Sequence, residues 1–82
     1  MSRYFFHVRD GAALLRDEEG EELPDLESAR AYAVEGAREI LSEATLSGKA
    51  ATINLEIEVA DALGHTILVT PVGHAAGTET QR

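Results

Sequence analysis

Arg3-Tyr4-Phe5-Phe6-His7-Val8-Arg9-Asp10-Gly11 is the stretch that decides the fold. Its aromatic and β-branched residues alternate with period two, the pattern of a half-buried strand. Tyr4, Phe6 and Val8 share one face; Phe5, His7 and Arg9 share the other. Asp10-Gly11 predicts a hairpin turn, because glycine, and to a lesser degree aspartate, accepts the positive φ of a type I′ turn. A two-residue loop there pairs Arg9 with Ala12, Val8 with Ala13 and Phe6 with Leu15. Phe6, Val8, Ala13 and Leu15 then lie on one side of the hairpin. Phe5, His7, Leu14 and Arg16 lie on the other.

Downstream, the run Asp17-Glu18-Glu19-Gly20-Glu21-Glu22-Leu23-Pro24-Asp25-Leu26-Glu27 ends in a helix start. Asp25 is the expected N-cap, and the Glu27 carboxylate suits the positive end of the helix dipole. From about Leu26 to Ser47, the residues Leu26, Ala29, Ala33, Ala37, Ile40, Leu41 and Ala44 recur at helical spacing. The stripe is rich in alanine, so the helix can approach a sheet closely. Gly36 in mid-helix costs up to about 1 kcal/mol relative to alanine. Ser47-Gly48 ends the helix, with Gly48 as left-handed cap and Lys49 near the negative end.

Beyond it, Ile53, Leu55, Ile57 and Val59 alternate with Asn54, Glu56, Glu58 and Ala60, so one face is buried and one is wet. Asp61-Ala62-Leu63-Gly64 fits a type I turn with Gly64 in a bulge position. If Asp61 opposes His65, Val59 meets Ile67 and Ile57 meets Val69. Pro71 stops that strand or confines it to a sheet edge. The expected architecture is α+β: ββαββ, an antiparallel sheet with one helix on one face. It fills a single domain over residues 1–72, with a disordered tail at 73–82.

The chain resembles a family of short bacterial proteins, a domain of unknown function, on two motifs. These are RYFFHVRDG, here Arg3 to Gly11, and DEEG-x-ELPDLE-x-AR, here beginning at Asp17 and including Glu27. The likeness spans roughly residues 3 to 71. It implies the ββαββ layout and a bacterial, cytoplasmic setting, and it brings no catalytic residues with it.

Composition narrows the function. At 82 residues the chain is near the lower size limit for a self-sufficient core, so a second copy or a partner would help it. It has no cysteine, which excludes disulfides and thiolate metal sites. No apolar run approaches the roughly 18 residues of a spanning helix, and no apolar signal segment precedes the first strand. A cytoplasmic protein is the expectation. Fifteen acids against 7 bases give a net charge of −8, which repels nucleic-acid phosphates and anionic membranes.

Seven of the 15 acids lie between Asp17 and Glu27, which raises the question of a cation site. A calcium loop centred on Gly20 would need ligands at Leu15 and Leu26, and one centred on Gly64 would need them at Val59 and Thr70; both fail. A looser, weak divalent-cation or small-ligand site at Asp17, Glu19 and Glu22 is the alternative reading of this loop. His7, His65 and His74 have no shared metal-ligand spacing, and no serine sits in a nucleophile-elbow context. The expectation is a protein that is not an enzyme and needs no cofactor. The sheet face away from the helix is the better candidate. It is expected to carry Phe5, Leu14 and Leu68 among His7, Arg9, Arg16, Glu56, Glu58, Thr66 and Thr70. Large apolar side chains ringed by mixed charge suit an interface. The function expected is a non-catalytic interaction or regulatory module that forms a homodimer or meets a protein partner. Its interface would be Phe5, His7, Arg9, Leu14, Arg16 and Leu68.

Overall fold

The computed structural model describes residues 1–48 and 54–72. Lys49, Ile53, His74 and the tail 73–82 lie outside the described residues, so the expectations for them have no structural counterpart. Among the described residues, five strands and one helix follow in order: β1 (Ser2–Asp10), β2 (Ala13–Leu15), β3 (Glu21–Leu23), α1 (Leu26–Leu46), β4 (Leu55–Ala60) and β5 (Thr66–Pro71). All strand pairs are antiparallel, and the order is β2-β1-β4-β5 with β3 also paired to β1. The α+β arrangement, one helix on one face of an antiparallel sheet, is as expected. The strand β3, inside the acidic run, is an addition to the ββαββ layout.

The first hairpin turns one residue later than its Asp-Gly signal. Asp10 pairs with Ala13, Arg9 with Leu14 and Val8 with Leu15, leaving Gly11-Ala12 as the loop. Gly11 has φ +61° and Ala12 does not have positive φ, the pattern of a type II′ turn with glycine first. Asp10 thereby stays in β1, where it also pairs with Leu55. The shift moves each partner by two residues, so the faces are unchanged.

The second hairpin differs in a way that matters more. Its turn is as anticipated: the Gly64 amide donates to the Asp61 carbonyl at 3.0 Å, and the Asp61 amide to the His65 carbonyl at 2.9 Å. Asp61 Oδ1 also accepts from the Leu63 and His65 amides. Ala60 pairs with Thr66, but Val59 then pairs with Leu68, so Ile67 is an extra residue in a β-bulge. From there the expected register is displaced by one, and one residue reverses the faces. Leu68 and Thr70 turn toward the helix; Ile67 and Val69 are exposed.

The core lies between α1 and the sheet. Tyr4, Ile57, Val59 and Val72 are buried against Ala29, Ala33 and Ala37, with Phe6, Leu23, Ile40, Leu41, Leu55 and Leu68 around them. The alanine stripe lets the helix come close: a Cβ on Gly36 would sit 3.6 Å from Ile57 Cδ1. The helix starts at Asp25, whose carboxylate accepts from the Ser28 amide at 2.9 Å. That amide, and then the Ser28 hydroxyl, hold the Asp25 carboxyl below its usual range. The Phe6 ring meets Tyr32 with centroids 4.6 Å apart.

Candidate functional site

The helix covers one face of the sheet, so residues of opposite parity form an open face. Phe5, His7 and Arg9 come from β1, Leu14 from β2, Glu56, Glu58 and Ala60 from β4, and Val69 from β5. Arg9 stands opposite Glu56 and forms its ion pair diagonally with Glu58, within one chain. Phe5 and His7 stack with ring centroids 6.4 Å apart and planes 17° apart.

The edge of β1 between β2 and β3 is closed by one side chain. Asp17 Oδ2 accepts from the Phe6 amide at 3.0 Å, and Oδ1 accepts from Glu19 and Gly20 at 3.3 and 3.2 Å. The Asp17 amide in turn donates to His7 Nδ1 at 3.0 Å. His7 therefore carries its ring proton on Nε2 in this arrangement. Burial pushes the Asp17 carboxyl up, but the hydrogen bonds from the amides of Phe6, Gly20 and Glu19 outweigh it and hold the carboxyl below its usual range.

Segment 16–18 and the turn 61–64 flank a cleft of about 370 Å³. Phe5, His7 and Ala60 form its inner wall; Arg16, Glu18 and Asp61 line it toward solvent. His7 is only 8% exposed, not the surface histidine its position on the open face implied. The loop that returns from β2 folds over it, which strand alternation does not reveal.

Of the six expected interface residues, Phe5, His7, Arg9 and Leu14 do share the open face, and Arg16 stands at the cleft. Leu68 does not: the bulge turns it into the core. Ile67 and Val69 take the exposed positions, at 39% and 45% exposure. No sequence signal marked them, because perfect alternation placed them inside. Asp17, Glu19 and Glu22 do not converge. Asp17 serves backbone amides, Glu22 pairs with Arg3 at 3.2 Å, and among the described residues no three histidines or carboxylates are grouped to hold a metal.

The family model described as "Domain of unknown function (DUF6894)" matches residues 3–73, a span that takes in the helix, the cleft and all of the sheet but Ser2. The chain belongs to this family. No curated protein and no solved structure matches it. Among the described residues, no helix is long and apolar enough to cross a membrane.

Proposed function

We propose that this member of the family is a small interaction module of the cytoplasm, without catalysis of its own, that self-associates through the β5 edge and the open sheet face. The observation that carries this reading is the place and composition of β5. Thr66-Ile67-Leu68-Val69-Thr70-Pro71 stands last in the strand order and contains no charged side chain. Soluble proteins blunt such edges with charge, bulges or short strands, because unpaired amides and carbonyls recruit other strands. Among the described residues, only the Ile67 bulge and Pro71 intervene here.

A second copy is the partner that fits. Two β5 strands related by a two-fold axis would run antiparallel, and Ile67 and Val69 of each would extend one apolar strip. With no charge on the strand, the net charge of −8 creates no like-charge contact at the seam. Arg9 and Glu58 already satisfy one another within the chain, so association rests on backbone pairing and apolar contact. The same net charge makes nucleic acid an unfavourable partner.

Size-exclusion chromatography with light scattering over a wide concentration range tests this. The wild-type chain is expected to be dimeric, and Val69→Asp and Ile67→Asp monomeric with an unchanged circular dichroism spectrum. A wild-type chain that stays monomeric at every concentration overturns the reading.

A further inference from the structure

We infer that the cleft beside His7 is a binding site for a small zwitterion, a free α-amino acid with an apolar side chain. This inference does not depend on self-association. It rests on which polar groups in the cleft are already used and which are not.

Two of the acids there are spent. The Asp17 carboxylate serves the amides of Phe6, Glu19 and Gly20, and Asp61 Oδ1 serves those of Leu63 and His65. His7 Nδ1 is taken by the Asp17 amide. What remains is the Nε2 proton of His7, the Arg16 guanidinium and the Glu18 carboxylate. Among the described residues none of these three has a hydrogen-bond or ion-pair partner. His7 is the telling member, because it is more than nine-tenths buried and lines the cleft. Buried donors in native proteins have acceptors, so an open one beside a cavity points to a ligand or to solvent in its place.

The free groups are one neutral donor, one cation and one anion. A simple anion would pair with Arg16 but meet Glu18, Asp17 and Asp61. A simple cation would be drawn to Glu18, Asp17 and Asp61 but would leave the Arg16 guanidinium and the His7 donor without partners. A ligand carrying both charges satisfies all three: its carboxylate takes Arg16 and the His7 Nε2 proton, and its ammonium takes Glu18. The Phe5 ring and the Ala60 methyl offer an apolar wall for the rest of the molecule. A volume of about 370 Å³ falls at the small end of ligand pockets, which suits an amino acid better than a nucleotide.

The test is a titration of the intact protein with L-phenylalanine, followed by the amide NMR shifts of Phe5, Asp17 and Gly64. Hydrocinnamate, which lacks the ammonium, and phenethylammonium, which lacks the carboxylate, are titrated in parallel. L-phenylalanine is expected to move these signals, and each half-ligand to bind at least about tenfold more weakly. Arg16→Gln and Glu18→Gln alter exposed side chains, and each is expected to weaken L-phenylalanine binding about tenfold while the remaining spectrum stays in place. Three results overturn the inference: no localised shift at millimolar L-phenylalanine, a half-ligand that binds as tightly, or variants that bind like the wild type.

Discussion

The backbone amide of Asp17 donates to Nδ1 of His7 at 3.0 Å, while the carboxylate of the same residue accepts from the Phe6 amide at 3.0 Å. One residue thus does for the edge of β1 what a strand would do. It fills the gap between β2 and β3, helps bury His7 and selects the His7 tautomer with its proton on Nε2. Its Oδ1 also holds the turn that leads into Gly20 and β3.

Replacing Asp17 by Asn should therefore weaken the fold. The amide side chain cannot accept from all three backbone groups, and its NH₂ opposes one of them. A loss of about 1–2 kcal/mol at neutral pH is expected in urea unfolding, the lower end reflecting partial exposure. The folded carboxyl lies below its usual range, so its contribution is full above the unfolded value. That contribution is lost as pH falls through the lower, folded value. The stability gap between wild type and Asp17→Asn should close on acidification across that window; a gap that does not narrow contradicts this role.

Gly20 is the position least able to accept a side chain. Its φ is +73°, and a Cβ there would lie 2.9 Å from both the Tyr4 carbonyl oxygen and Phe5 Cε2. The carbonyl is part of β1 and cannot yield without disturbing the pairing with β3. Gly20→Ala should cost about 2 kcal/mol or more. Gly11→Ala, at φ +61° with nothing within 4 Å, should cost only the left-handed strain of about 1 kcal/mol. Thermal unfolding of the two variants gives the order directly, and equal losses would remove the steric argument.

Gly36 carries the opposite expectation. It has helical φ, and the new methyl would make an ordinary 3.6 Å contact with Ile57. Gly36→Ala should stabilise the chain by about 0.5–1 kcal/mol, through helix propensity and a less disordered unfolded state. A destabilised variant would mean that the helix and β4 are already in tighter contact than this distance indicates.

The bulge at Ile67 makes neighbouring residues unequal. Leu68→Ala removes a side chain packed on the core and should cost about 2 kcal/mol. Val69→Ala touches an exposed residue and should change stability by no more than about 0.5 kcal/mol when measured at high dilution. The reverse order would restore the unbulged register, with Ile67 and Val69 in the core.

How much of this is legible in the chain depends on the range of the interactions involved. Asp25 caps the helix and Ala29, Ala33 and Ala37 line its buried side, all readable from spacing. The faces of β1 are readable too, and they survive the misplaced first turn because a shift of two residues preserves parity. A one-residue bulge does not preserve it, and alternation in Thr66 to Pro71 gives no sign of the extra residue. The strand Glu21–Leu23 is hidden for another reason. Glutamate is a poor strand former, and this strand exists because Arg3 stands opposite Glu22 and β1 offers a free edge.

By itself, the sequence determined every element but β3, and the buried sides of β1, α1 and β4: an aromatic first strand, a capped helix with an alanine stripe, a second hairpin closed by Asp61 and Gly64, and an acidic surface. These follow from local propensity and periodicity, which act over a few residues. Only the tertiary structure decided that Leu68 is inside and Val69 outside, that His7 is buried, and that Arg16 and Glu18 stand at one cleft with Asp61. Each of those outcomes depends on hydrogen bonds and packing between segments distant along the chain, which no local pattern encodes.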